Sequence, residues 1–135
     1  LETSRGDLLA VGATGQGPVM EGLAVLTDAQ GRPRWLRTLQ GPEAETAVAA
    51  LETDFGFVVL CRADNSSLES YGVITGLDIN GEILWERSLG VAGLDLGVVG
   101  MAPAGPDEAV ILATRMVRDR EQTSQVVFVK FAYPE

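Results

Sequence analysis

The chain has 135 residues, enough for one domain with a hydrophobic core. Its 10 basic and 19 acidic side chains give a formal net charge of -9, which argues against a phosphate-binding cluster of Lys and Arg, so we expect no nucleic acid partner. Because no apolar run approaches the roughly 20 residues that span a bilayer, we also expect no membrane insertion by this segment.

Three short apolar segments, at positions 7–12, 56–61 and 108–113, share one sequence pattern. They are rich in Val, Ile and Leu and lie next to Gly, Pro or Asp, which is typical of β-strands. Three copies of one pattern indicate an internal repeat. We therefore predict a strand at each position.

Two further segments recur at an offset of about fifty residues. Extended runs at 20–27 and 71–77 each precede an Asp that lies three residues before a glycine. After that glycine, the segments 31–39 and 81–89 share Gly, Trp, Arg and Leu at matching positions. The glycine predicts a tight hairpin turn, because glycine adopts a positive φ without steric cost.

The segment Glu43 to Leu51 has the residue propensities of a helix, but its counterpart in the next repeat does not. That counterpart, 94–101, contains two glycines, which weaken a helix. We therefore predict equivalent strands at 47–52 and 96–101. Their small side chains suit a crowded position where neighbouring sheets converge.

The middle unit then contains four strands in an antiparallel meander, at 47–52, 57–62, 71–77 and 83–89. In the last of these strands Trp85, Arg87 and Leu89 share one face, because successive side chains of a strand alternate. The other Trp segment has the same spacing. This pattern predicts a Trp and an arginine stem packed between adjacent sheets.

These units resemble the bacterial β-propeller repeat, of the PQQ-like and kelch-like kind. The residues that carry the resemblance are Gly56-Phe57, Leu77-Asp78-Ile79-Asn80-Gly81, Trp85 and Leu89-Gly90. The resemblance implies an all-β, propeller-like fold of four-stranded antiparallel meanders, about fifty residues each, with two to three blades.

On this interpretation, residues 1–135 form a single repeat domain with a partial blade at 1–41, a full blade at 42–90 and a partial blade at 91–135. Closed propellers usually have about four to eight blades. Three explanations stay open: a piece of a longer chain, a protomer whose partners complete the ring, or a smaller open sheet or sandwich.

No catalytic or cofactor site is expected. The sequence has no histidine, the commonest general base, and Cys61 is its one cysteine. The apolar run around Cys61 favours a buried thiol over a reactive thiolate. The segment Asp78 to Glu82 has oxygen ligands near a glycine, as calcium requires, but Asp78 bonding backbone amides in a plain turn explains it better. We predict a non-catalytic protein without cofactor or metal.

In an up-and-down meander the loop after the second strand and the connection to the next unit emerge at the same end of the sheets. Loops on a rigid sheet commonly carry binding residues, although solvated connections of no function are the alternative. The charged run 115–121 is the best single candidate. The predicted partner-binding residues are Arg115, Arg118, Arg120, Asp64, Asn65, Glu43 and Glu45.

The sequence thus favours a non-catalytic, propeller-type scaffold for protein-protein interaction or assembly in a larger complex, through open sheet edges or the loop end. The alternative is a module that binds a small ligand, a glycan or a quinone-type cofactor, for which an exposed aromatic platform would be needed. The resemblance and the near-absence of cysteine favour an extracytoplasmic location, periplasmic or secreted, with the cytoplasm as the alternative.

Overall fold

The computed structural model describes residues 1–16, 19–65, 69–90, 95–117 and 123–135. Within these residues it contains ten strands. The strands are β1 Leu8–Thr14, β2 Glu21–Thr27, β3 Pro33–Leu39, β4 Ala44–Thr53, β5 Gly56–Asp64, β6 Ser70–Asp78, β7 Ile83–Leu89, β8 Asp95–Pro103, β9 Glu108–Val117 and β10 Thr123–Ala132.

The strands form three antiparallel sheets of consecutive strands. Sheet A has the order β1-β2-β3, sheet B the order β4-β5-β6-β7, and sheet C the order β8-β9-β10. The predicted all-β class is confirmed. The segment from Glu43 to Leu51 enters β4, so its interpretation as a strand is also confirmed.

The middle sheet is covered on both sides. Every residue of β5 from Gly56 to Ala63 is buried except Arg62, as expected for a strand with a core on each face. One core contains Leu9, Ala24, Leu26 and Leu39 of sheet A packed on sheet B. The other core contains Leu96, Val98, Ile111 and Ala113 of sheet C packed on the opposite face of sheet B.

Two hairpin turns have the same construction. Asp28 Oδ1 accepts hydrogen bonds from the backbone N–H groups of Gln30 and Arg32, each at 2.9 Å. In the turn between β6 and β7, the Asp78 carboxylate accepts the same two bonds, each of 2.9 Å, from the backbone amides of positions 80 and 82. The Asp78 carboxylate therefore closes a turn, as the plain-turn interpretation predicts.

Gly81 in the second turn is required twice over. Its φ is +80°, in the left-handed region that favours glycine. A Cβ at this position would also lie 2.7 Å from the Trp35 ring. The turn of sheet B is thus shaped to receive the tryptophan of sheet A.

Residues 1–3 pair with β1 at the edge of sheet A. Glu2 pairs with Leu8, and Leu1 and Leu9 exchange two backbone hydrogen bonds of 3.0 and 2.8 Å. The segment 1–3 has the same sequence, Leu-Glu-Thr, as the end of β4 at 51–53. Residues 1–3 therefore pair with β1 as the end of β4 pairs with β5.

Candidate interaction surface

Each sheet has two faces, which we name by chain direction. The forward face packs on the next sheet along the chain, and the rear face packs on the previous sheet. Val59 and Val73 lie on the rear face of sheet B and pack on sheet A. Leu60 and Ile74 lie on its forward face and pack on sheet C. Both contacts inside the molecule therefore join a forward face to a rear face.

The forward face of sheet C has no covering sheet among the described residues. Its apolar side chains are strongly exposed: Phe128 by 71%, Val126 by 67% and Val99 by 50%. Val110 and Leu112 lie between them and are half-buried. Strand pairing joins Phe128 directly to Leu112, so the side chains form one continuous patch.

The corresponding patch on sheet B is fully covered. Leu60 corresponds to Leu112 in the sequence repeat, and its strand partner Ile74 therefore corresponds to Phe128. Ile74 is 0% exposed because sheet C lies on it, whereas Phe128 is 71% exposed. Equivalent positions of the equivalent strands β6 and β10 are thus buried in sheet B and exposed in sheet C.

The rear face of sheet A is the other apolar face without a described cover. Leu8 and Leu36 are 41% and 60% exposed, Ala10 is exposed, and Leu23 and Val25 are half-buried. The pairing of Ala10 with Val25, and of Val25 with Leu36, places these side chains in a row across the sheet. The molecule therefore presents one forward and one rear face.

Of the residues predicted for partner binding, Asp64 and Asn65 organise their own loop. The Asp64 carboxylate binds Arg62 at 3.1 Å and accepts a bond from the Ser70 hydroxyl. Asn65 Oδ1 accepts the amide N–H of Glu69 at 3.0 Å. These side chains close the loop between β5 and β6, which is a structural role.

The same loop is tied to the next connection along the chain. The backbone N–H of Ser70 donates to Asp95 Oδ1 at 2.8 Å. The loop after β5 and the start of β8 therefore lie together, and the expectation that loops and connections share one end of the sheets is confirmed here.

Glu45 lies inside the molecule, between sheets A and B, with 2% exposure. No hydrogen bond reaches its carboxylate from any described residue. Burial, and then the negative charge of Glu86, raise the pKa of Glu45 to about 7. Burial, and then Glu45, likewise raise the pKa of the Cys61 thiol to about 12. The prediction that Cys61 is buried is confirmed.

The other predicted binding residues differ in placement. Glu43 is half-buried near Tyr71, whose pKa is raised first by burial and then by Glu43. Arg115 is exposed at the end of β9 and forms no ion pair with a described residue. Arg118 and Arg120 lie outside the described residues. The described members lie at one end of the sheets, since Ala44, between Glu43 and Glu45, pairs with Asp64, and their role in binding a partner stays a prediction.

A cleft of about 660 Å³ opens at the opposite end of the sheets, between A and B. Its polar side chains pair with one another, since Ser4 binds Glu52 at 2.7 Å and Arg34 binds Asp7 at 3.1 Å. Trp35 borders the cleft, but its indole N–H donates to the Ile79 carbonyl at 2.9 Å. The ring is half-buried in the contact between the sheets, rather than free as an aromatic platform.

Both tryptophans pack between sheets, as predicted, but only one arginine does. Arg37 reaches the Gly81 carbonyl and the Glu82 carboxylate of sheet B. Arg87 instead donates to the Glu86 carbonyl of its own strand. Trp85 lies against Phe131 and Tyr133 with ring centroids 5.9 and 6.2 Å apart.

The described residues contain no cluster of His, Cys, Asp or Glu with the geometry of a metal site. Nor does the described part of the chain contain a helix of the length and apolar character that crossing a bilayer requires. Comparison with known proteins finds no protein family whose pattern fits the chain and no similar curated protein.

Sequence reasoning missed the two open apolar faces, although their signal was present. The repeat aligns Phe128 with Ile74. A large apolar residue at the aligned position of a sheet that no following sheet covers indicates an apolar surface. The sequence-based prediction places the binding residues in the loops instead, because the charged residues lie there.

Proposed function

We propose that the protein is a non-catalytic, propeller-type scaffold that binds other protein surfaces through the outer faces of its terminal sheets. The observation that carries the proposal is the 71% exposure of Phe128 at the position where sheet B buries Ile74 completely. Large contiguous apolar patches on soluble proteins commonly mark interaction sites.

The arrangement of successive antiparallel sheets, each packed on the next, supports a propeller-type scaffold. Tryptophans at the same position of β3 and β7 lie in both contacts. Because the last strands of sheets A and B are followed directly by the first strand of the next sheet, each added sheet extends the array in one direction. An array of this kind presents its end faces to partners.

Photocrosslinking tests this proposal at the proposed surface. The chain would carry a benzoylphenylalanine at position 128 and, as a matched control, at position 84. Leu84 is also exposed, by 50%, but lies on β7 of the middle sheet. We expect one defined protein adduct at 128 in an extract of the source cells, none at 84, and the same complex from purified components.

The absence of a protein adduct at 128, or equal crosslinking at 84 and 128, would contradict the proposal. A Phe128→Lys variant provides a second measurement on the purified complex. A charge introduced into an apolar contact should weaken binding at least about tenfold, which corresponds to about 1.4 kcal/mol. Since the Phe128 side chain is exposed, the variant is expected to fold normally.

A further inference from the structure

The two open faces of the molecule are of opposite kinds. The rear face of sheet A, with Ala10, Leu23 and Val25, corresponds to the rear face of sheet B that packs on sheet A. The forward face of sheet C, with Leu112 and Phe128, corresponds to the forward face of sheet B that packs on sheet C. One chain thus carries both halves of the contact that it makes twice internally.

Resting on the function proposed above, we infer that the forward face of sheet C binds the rear face of sheet A in a second copy of this chain. Copies then associate head to tail. The contact is heterologous, because two different surfaces meet, and each added copy leaves one forward and one rear face free. Association therefore continues past a dimer or closes into a ring.

Electrostatics opposes association and gives a control. The net charge of -9 makes two copies repel each other, and salt screens that repulsion. An apolar contact between copies should therefore strengthen as sodium chloride is added. A contact built on ion pairs would weaken under the same change.

Sedimentation velocity on the full chain provides the test. Two variants each block one face with an exposed charge, Phe128→Lys on sheet C and Ala10→Lys on sheet A. Leu84→Lys on the middle sheet is the control with the same change in charge. We expect the wild type and Leu84→Lys to associate as the concentration rises, into a growing series or a closed ring, and each blocked variant to remain a monomer.

Mixing the two blocked variants decides the geometry. One variant keeps its rear face and the other keeps its forward face, so an equimolar mixture should form a heterodimer and nothing larger. A wild type that stays a monomer up to about 1 mM, a blocked variant that still associates on its own, or a mixture that stays monomeric would each overturn the inference.

The outcome is separable from that of the proposed function. If the crosslink at position 128 captures a different protein and the isolated chain stays a monomer, the scaffold function stands and self-association is wrong. If neither a crosslink nor self-association occurs, both are wrong.

Discussion

The contact between sheets A and B and the contact between sheets B and C have the same construction but different chemistry at equivalent positions. Cys61 and Ala113 are equivalent in the repeat. Glu45 in β4 pairs with the residue two places after Cys61, and Leu96 in β8 pairs with the residue two places after Ala113, so Glu45 and Leu96 are equivalent as well. Glu45 is 2% exposed and Leu96 is 6% exposed. One contact therefore buries a carboxyl where the other buries a leucine.

The two tryptophans also differ in the polarity of their contacts. Trp35 donates its indole N–H to the Ile79 carbonyl and lies beside the Arg37 contacts to the next turn. Trp85 instead lies among the rings of Phe55, Phe131 and Tyr133. The contact between A and B thus adds a buried carboxyl and an indole hydrogen bond to its apolar core, whereas the equivalent positions of the contact between B and C are apolar and aromatic.

The largest expected effect comes from Ile74→Ala. This change gives the contact between B and C the residue that the contact between A and B has at that position, Ala24. Because Ile74 is 0% exposed, the substitution leaves a cavity and should lower the free energy of unfolding by about 2 to 5 kcal/mol. Urea denaturation measures it, with Phe128→Ala as the matched exposed control. Equal losses in both variants would contradict the account that sheet C covers Ile74 while the equivalent Phe128 is open.

The second prediction concerns Glu45→Leu, which gives the contact between A and B the leucine that the contact between B and C has at the equivalent position. The pKa of Glu45 rises from its ordinary 4.5 to about 7 on folding, so the folded chain binds more protons between these values. Stability from this group is fully present below pH 4.5 and is lost as the pH rises through about 7. Glu45→Leu should therefore stabilise the protein by up to about 3 kcal/mol at pH 8, and by much less at pH 4.

Thermal unfolding across this pH range, with Glu2→Gln as the control, measures the effect of Glu45→Leu. Glu2 is exposed, so its substitution removes one carboxylate without a change in the core. An equal gain in stability from Glu45→Leu at pH 4 and at pH 8 would contradict the account that the buried, ionised carboxylate destabilises the protein at high pH.

The smallest effect separates the two arginines. Arg37→Ala removes the bonds to Gly81 and Glu82 and should cost about 0.5 to 1.5 kcal/mol, with the ion-pair part reduced by salt. Arg87→Ala removes a bond within its own strand and should cost less than about 0.5 kcal/mol. Chemical denaturation at low and high salt compares the two variants, and equal losses would contradict the different roles.

Local sequence patterns predict much of the fold, because side-chain alternation and turn residues act over a few positions. The last strand of the middle unit, Ile83–Leu89, is predicted with its observed bounds. Strand β4 begins at Ala44, three residues before its predicted start, because an irregularity between Ala47 and Ala49 shifts the alternation.

The placement of side chains between sheets is less predictable. Glu45 is read from the sequence as a surface residue, since carboxylates are rarely buried without a partner. Its burial follows from the long-range position of β4 between two sheets. The alignment of Glu45 with Leu96 in the repeat is the signal that indicates it, whereas its charge indicates the opposite.

The central claim, that the forward face of sheet C is a binding surface, is tested most directly by amide hydrogen exchange along β10. Because β10 is an edge strand, its own exchange in the dilute, isolated chain is the reference. In the protein bound to its partner, or at concentrations where copies associate, we expect exchange at Val126 to Lys130 to be slower than in that reference. Exchange along β10 that stays as fast as in the dilute, isolated chain would contradict the claim.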